Sequence, residues 1–159
     1  MSLNECRQDN VKHKKRIGMI TFHRTNNFGS QLQAMALYKA LCNMNADCTV
    51  IDYHCDAIER REFQTQKSRV TSVKALVKKL LLEPLLNIKK RNMMRFLTKY
   101  ARLSKAYDKQ NIRQCVLDYD VFVVGSDIVW GVDITEGDMT YFLDFAPGRE
   151  KYAFSSSVG

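Results

Sequence analysis

Lys15-Arg16-Ile17-Gly18-Met19-Ile20-Thr21-Phe22, then His23-Arg24-Thr25-Asn26-Asn27-Phe28-Gly29, then Ser30-Gln31-Leu32-Gln33, is the run whose reading decides the fold. The first segment is apolar at Ile17, Met19, Ile20 and Phe22 and reads as a short buried strand. The third fits a capping box, in which the Ser30 hydroxyl bonds the Gln33 N–H while the Gln33 side chain reaches back. Apolar side chains then recur at Ala34, Leu37, Leu41 and Met44, and Leu32, Met35, Ala36 and Ala40 widen the stripe. That pattern predicts a largely buried helix, ended at Asn45, a residue that tolerates the left-handed conformation of a helix stop. Cys48-Thr49-Val50-Ile51-Asp52-Tyr53 reads as a second strand. Strand, polar loop, buried helix and strand make a βαβ unit, which builds parallel sheet.

Such a unit carries a ligand site. The loop leaves the carboxyl end of the first strand, and the free N–H groups of the helix's first turn point back at it. Asn26, Asn27 and Ser30 add short polar groups, and Gly29 lets a ligand approach the backbone, which suits an anion or a ring of hydroxyls. Turn and cap chemistry alone also accounts for these residue types. The loop is neither GxGxxG nor a P-loop, so dinucleotide or triphosphate binding of the usual kind is not supported.

Further along, Val73, Leu76, Val77, Leu80 and Leu81 follow helical spacing, with Thr71 or Ser72 as a cap and Glu83-Pro84 as the expected stop. A second helix carries Met93, Phe96, Leu97 and Tyr100 on one stripe, giving a helical hairpin or bent pair over 67–105 inserted between strands two and three. This insert holds twelve Lys or Arg against Glu83 alone, a local charge of +11 that leaves −3 for the rest of a +8 chain. Nucleic acid is disfavoured as a partner because few aromatics interleave with the basic residues. An acidic glycan, or a lipid-linked sugar at a membrane surface, can use the same charge.

Asn111–Leu117 reads as a short helix and Asp120-Val121-Phe122-Val123-Val124 as the third strand, which runs into Gly125-Ser126-Asp127 and then Trp130. If that strand is parallel to the first, Asp127 and the Asn26-Asn27-Gly29 loop share one edge of the sheet. A helix N-cap role for Ser126 or Asp127 and a core role for Trp130 are the structural alternatives. Tyr141–Phe145 reads as a short extended segment and Lys151–Ser155 as a fourth strand, after which Ser156-Ser157-Val158-Gly159 is a strand-to-helix loop without its helix. The chain therefore reads as the front portion of a longer architecture. Residues 1–14 read as a flexible basic tail and 15–159 as one Rossmann-like α/β domain. Size and composition agree with one globular core.

Five cysteines, Cys6, Cys42, Cys48, Cys55 and Cys115, form an odd set with no CxxC pair, which favours reduced thiols over a disulfide framework or zinc. No metal ligand set is read from the sequence. The polar N-terminus lacks an apolar segment, which predicts no signal peptide, and no apolar run reaches the length of a membrane span. A cytoplasmic location follows from these features, with peripheral membrane contact as an option.

Ile17–His23 with Asn26–Ala34, Val50–Tyr53, Val123–Trp130 and Tyr141–Phe145 leading to the small-residue strand before Gly159 together resemble the polysaccharide pyruvyl transferase family. The resemblance runs from about Arg16 to Gly159. Ile128 stands where that family usually has Gln, and family members usually run to about twice this length, with two Rossmann-like halves similar to a GT-B glycosyltransferase. The resemblance implies a bacterial exopolysaccharide enzyme that transfers pyruvate from phosphoenolpyruvate, a donor substrate and not a bound cofactor, onto paired hydroxyls of a cell-surface glycan. It places the donor-binding Arg and His mainly in the absent half. It offers Asn26, Asn27, Gly29, Ser30, Ser126 and Trp130 to substrate, with Asp127 as base or hydroxyl ligand and His23 as the acid candidate. Activity would then need a C-terminal domain or an oligomer partner. The alternative is a non-catalytic α/β domain that binds sugars or phosphates.

Overall fold

A computed structural model of the chain describes residues 14–63 and 73–158. The expected 1–14 tail (apart from Lys14), the Thr71 or Ser72 cap, Cys6 and Gly159 lie outside the described residues. Five strands, β1 (Arg16–Ile20), β2 (Asp47–Tyr53), β3 (Leu103–Tyr107), β4 (Val121–Gly125) and β5 (Glu150–Phe154), form one sheet in the order β3-β2-β1-β4-β5. All four pairings are parallel. The fold is thus α/β and Rossmann-like, with the strand order reversing at β1.

Buried faces explain the strands. In β1, Ile17 and Met19 join Cys48, Val50, Val121 and Val123 on one face, while Ile20 joins Ile51, Tyr53, Phe122 and Val124 on the other. Strands buried on both sides read as near-continuous apolar runs, as these do. The first face is covered by helix α1 (Phe28–Asn43) through Leu37 and by helix α3 (Val73–Tyr100) through Leu97. The second is covered by a 3-10 turn at Ile112–Leu117, by helix α2 (Asp56–Phe63) and by the winding segment from Val129 to Ala146.

Several expectations are corrected. Helix α1 begins at Phe28, and its N-cap is Asn27, whose Oδ1 accepts from the Gly29 N–H at 2.8 Å, so Ser30 is not the cap. The helix is buried only along Gln31, Ala34 and Leu37, whereas Leu32 and Met44 are exposed. Asn45 does take the left-handed conformation, at φ 60°. Residues 73–100 form one helix, not a pair, and Pro84 lies inside it. Proline withholds a single N–H from the ladder, and Leu97 and Ala101 bury the far end of the segment against the sheet.

The basic stretch also ends in a strand, because Leu103–Tyr107 pairs with β2, so the third strand in sequence is β3 and not Val121–Gly125. Tyr141-Phe142 is the end of a 3-10 turn, not an extended segment. Asp138 caps that turn through Thr140 N–H at 3.0 Å, and Leu143 leaves it at φ 59°.

Close contact fixes β1 against its cover. A Cβ on Gly18 would stand 2.8 Å from Tyr119 Cδ2 and 2.9 Å from Ile51 Cδ1. Both neighbours belong to the larger core cluster. Gly18→Ala is expected to lower unfolding stability by about 1–3 kcal/mol through overpacking, read as a reduced urea midpoint at unchanged slope. A midpoint equal to that of the parent would show that the Tyr119 ring can step aside.

Candidate functional site at the strand-order reversal

The register pairs Ile20 with Val124, so the turns that follow β1 and β4 leave the carboxyl edge side by side. Helix α1 closes on this point. A Cβ on Gly125 would press on Leu37 Cδ2 and stand 3.1 Å from the Phe154 carbonyl, so a side chain here would displace Leu37 and crowd the β5 backbone. One turn into α1, Gln33 Oε1 lies 3.4 Å from the Asp127 N–H.

On the β4 side, Ser126 is buried and Asp127 is exposed. Ser157, from the segment after β5, donates its hydroxyl to Asp127 Oδ1 at 2.9 Å and accepts from the Ile128 N–H at 2.9 Å. Its carbonyl accepts from the Trp130 N–H at 3.1 Å. Ile128 sits at φ 49°. A β-branched residue in the left-handed region is strained, and such strain collects at functional turns. Trp130 stacks on Phe142 at 5.8 Å between centroids and donates its indole N–H to the Tyr141 carbonyl at 3.1 Å, which makes it an anchor of the turn's support.

On the β1 side the polar groups are mostly committed to the protein. The Asn26 amide donates to the Glu62 carbonyl at 2.8 Å, and its backbone N–H and the Thr25 hydroxyl both reach Glu62 Oε2. Asn27 caps α1, Gly29 provides the N–H that Asn27 accepts, and Ser30 is half-buried in the first turn. His23 is buried. Its Nδ1 faces the Thr21 carbonyl at 3.1 Å and its Nε2 faces Asp52 Oδ1 at 2.9 Å, so neither ring nitrogen is left for a ligand. Arg24 grips the same carboxylate with two bonds, Nε to Oδ1 at 2.8 Å and a terminal nitrogen to Oδ2 at 2.9 Å. Burial pushes the Asp52 carboxyl up, but the hydrogen bonds from His23 and Arg24 outweigh it and hold the group well below the usual carboxylate range.

The structure also forms a polar cavity that the sequence did not reveal. About 300 Å³ opens at the carboxyl ends of β2 and β3, lined by His54, Asp56, Arg60, Asp108, Lys109 and Asp138 among others. Asp138 accepts the Tyr53 hydroxyl at 2.5 Å, and His54 Nδ1 pairs with Glu59 at 2.8 Å. Finding this cavity required β3, because β3 brings Asp108-Lys109 to the edge. Cys48 and Cys115 are pushed up to about 12 by burial, and Cys55 is raised for the same cause, so these thiols are poor nucleophiles. Among the described residues no three His, Cys, Asp or Glu side chains are grouped to hold a metal ion.

No protein-family model matches this chain, and no curated protein matches it.

Asp52 gives the site a measurable pH signature. A carboxyl whose folded pKa is depressed stabilises fully above its unfolded value of about 4 and loses that contribution as pH falls below it. Asp52→Asn is expected to cost about 3 kcal/mol at neutral pH by stranding Arg24 and His23. The variant should also show a shallower stability loss between pH 4 and pH 2 in urea unfolding. A pH slope identical to the parent's would place the acid sensitivity elsewhere.

Proposed function

We infer that this chain is the acceptor-binding half of a pyruvyl transferase-like protein, working on a glycan or lipid-linked sugar with phosphoenolpyruvate as donor. The observation that carries the reading is Asp127, an exposed carboxylate at the strand-order reversal, braced by Ser157 and seated beside the capped start of α1. Open α/β sheets take ligands at that crevice. A carboxylate there accepts one hydroxyl of a sugar diol as a hydrogen bond and can take its proton as the oxygen attacks.

Transfer itself runs in defined steps. The enol methylene of the donor is protonated, the sugar oxygen adds to the resulting cation, phosphate leaves, and the second hydroxyl closes the ketal. Donor phosphate requires cationic ligands. Arg24 is already bound to Asp52 by two hydrogen bonds, so on this reading those cations come from a second domain of GT-B type or from a partner. On this reading the second domain also covers Tyr152 and Phe154, which share one face of β5 and lie exposed. This reading places the protein in the cytoplasm, at or near a membrane. No helix among the described residues is long and apolar enough to cross one.

A second reading, a non-catalytic sugar- or phosphate-binding α/β domain, is favoured by the commitment of both His23 and Arg24 to Asp52, which leaves the β1 turn without a free acid or cation. Phosphate release separates the two when the chain is supplied with its completing half. For this chain alone, methyl hexopyranosides are expected to shift the amide resonances around Asp127, phosphoenolpyruvate is expected to release no phosphate, and Asp127→Ala should abolish the shifts without moving the melting temperature. Phosphate release by the isolated chain, or sugar-induced shifts that survive in Asp127→Ala, would overturn this assignment.

A further inference from the structure

Away from the Asp127 turn, helices α1 and α3 enclose a groove of about 440 Å³. Its walls include Phe28, Leu32, Leu85 and Ile88, which are 66%, 52%, 60% and 44% exposed. Four large apolar side chains left in water on facing helix surfaces form a patch of the kind that marks a binding site. The volume lies within the range of small-molecule pockets.

Two polar features give the groove direction. Lys89 lines it and holds its ammonium 5.7 Å from the Phe28 ring centroid, a cation over an aromatic face. Among the described residues Lys89 is the one charged side chain in the groove's lining, and the helix from Pro84 to Tyr100 contains no acid. Gln31 lines the groove too. Its amide nitrogen donates to the His23 carbonyl, while its Oε1 is buried with no hydrogen-bond partner among the described residues.

We propose that this groove binds one single-chain anionic amphiphile, with its apolar chain between Phe28, Leu32, Leu85 and Ile88 and its phosphate or carboxylate head on Lys89. A concave groove between two helices encloses a single chain, whereas a surface that enters a bilayer presents its apolar groups outward. The assignment stands on the groove alone and does not depend on pyruvyl transfer.

The probe is dodecyl phosphate, kept below its micelle-forming concentration and titrated calorimetrically into the full chain. The expected result is one saturable site per chain. Leu32→Asp and Ile88→Asp, both at exposed positions, should each weaken it by about tenfold or more, and Lys89→Gln by about fivefold. Dodecanol, which has the same chain without the anion, should bind more weakly than dodecyl phosphate. Circular dichroism of the three variants checks that each retains the fold. Stoichiometry well above one, affinity unchanged in both aspartate variants, or binding to phosphatidylglycerol vesicles with none to the monomeric probe would each overturn the proposal, the last by making this face a membrane surface.

Discussion

The architecture depends on how closely the central strand and its neighbour can be approached. β1 is paired on both edges and covered on both faces, and its only glycine lies where the Tyr119 ring presses in. β4 ends in a second glycine, against which Leu37 of α1 rests. The two contacts lie on opposite faces of the sheet, since Tyr119 belongs to one core cluster and Leu37 to the other. Side chains in a close-packed interior cannot be displaced without strain. These two positions therefore set the height of both covering layers, and so the distance between α1 and the β4 turn.

A buried charge reinforces the same end of the sheet. Asp52 stands at the carboxyl end of β2, and its partners His23 and Arg24 follow β1. Burying a carboxylate is tolerated only with charge and hydrogen bonds supplied, and here both oxygens are served. The cluster fixes the path of the β1 turn before Glu62 of α2 takes hold of Asn26. The polar richness of that turn thus serves local folding to a large degree, while Asp127 across the crevice is braced by one hydroxyl and remains open to solvent.

The βαβ unit and β4 were legible in the sequence because their apolar residues alternate across two buried faces, a pattern that local spacing records directly. β3 was not, because Leu103-Ser104-Lys105-Ala106-Tyr107 follows a basic helix and exposes Lys105 and Ala106. Its strand character comes from pairing with β2, which is a distant contact. Pro84 read as a stop because a proline disfavours the helical conformation of the residue before it, while the packing beyond it is not visible in the sequence. Asn27 and Ser30 are both competent caps, and only the backbone path selects Asn27. At the site, the adjacency of the β1 and β4 turns followed from the parallel arrangement. The commitment of His23 to Asp52 did not, since the partner lies 29 residues away. The polar cavity at the ends of β2 and β3 was hidden together with β3.

Among the described residues β5 pairs with β4 alone, and every one of its residues is exposed. Little apolar burial holds it, so its position rests on ladder hydrogen bonds to β4 and on an exposed Lys15–Glu150 ion pair at 2.8 Å. Segments of this kind open locally at a small fraction of the free energy of global unfolding. Ser157 hangs from that strand, and its hydroxyl aims the Asp127 carboxylate. The aim of the Asp127 carboxylate is therefore tied to a strand with little apolar burial, and whatever steadies or frays β5 retunes the crevice from a distance.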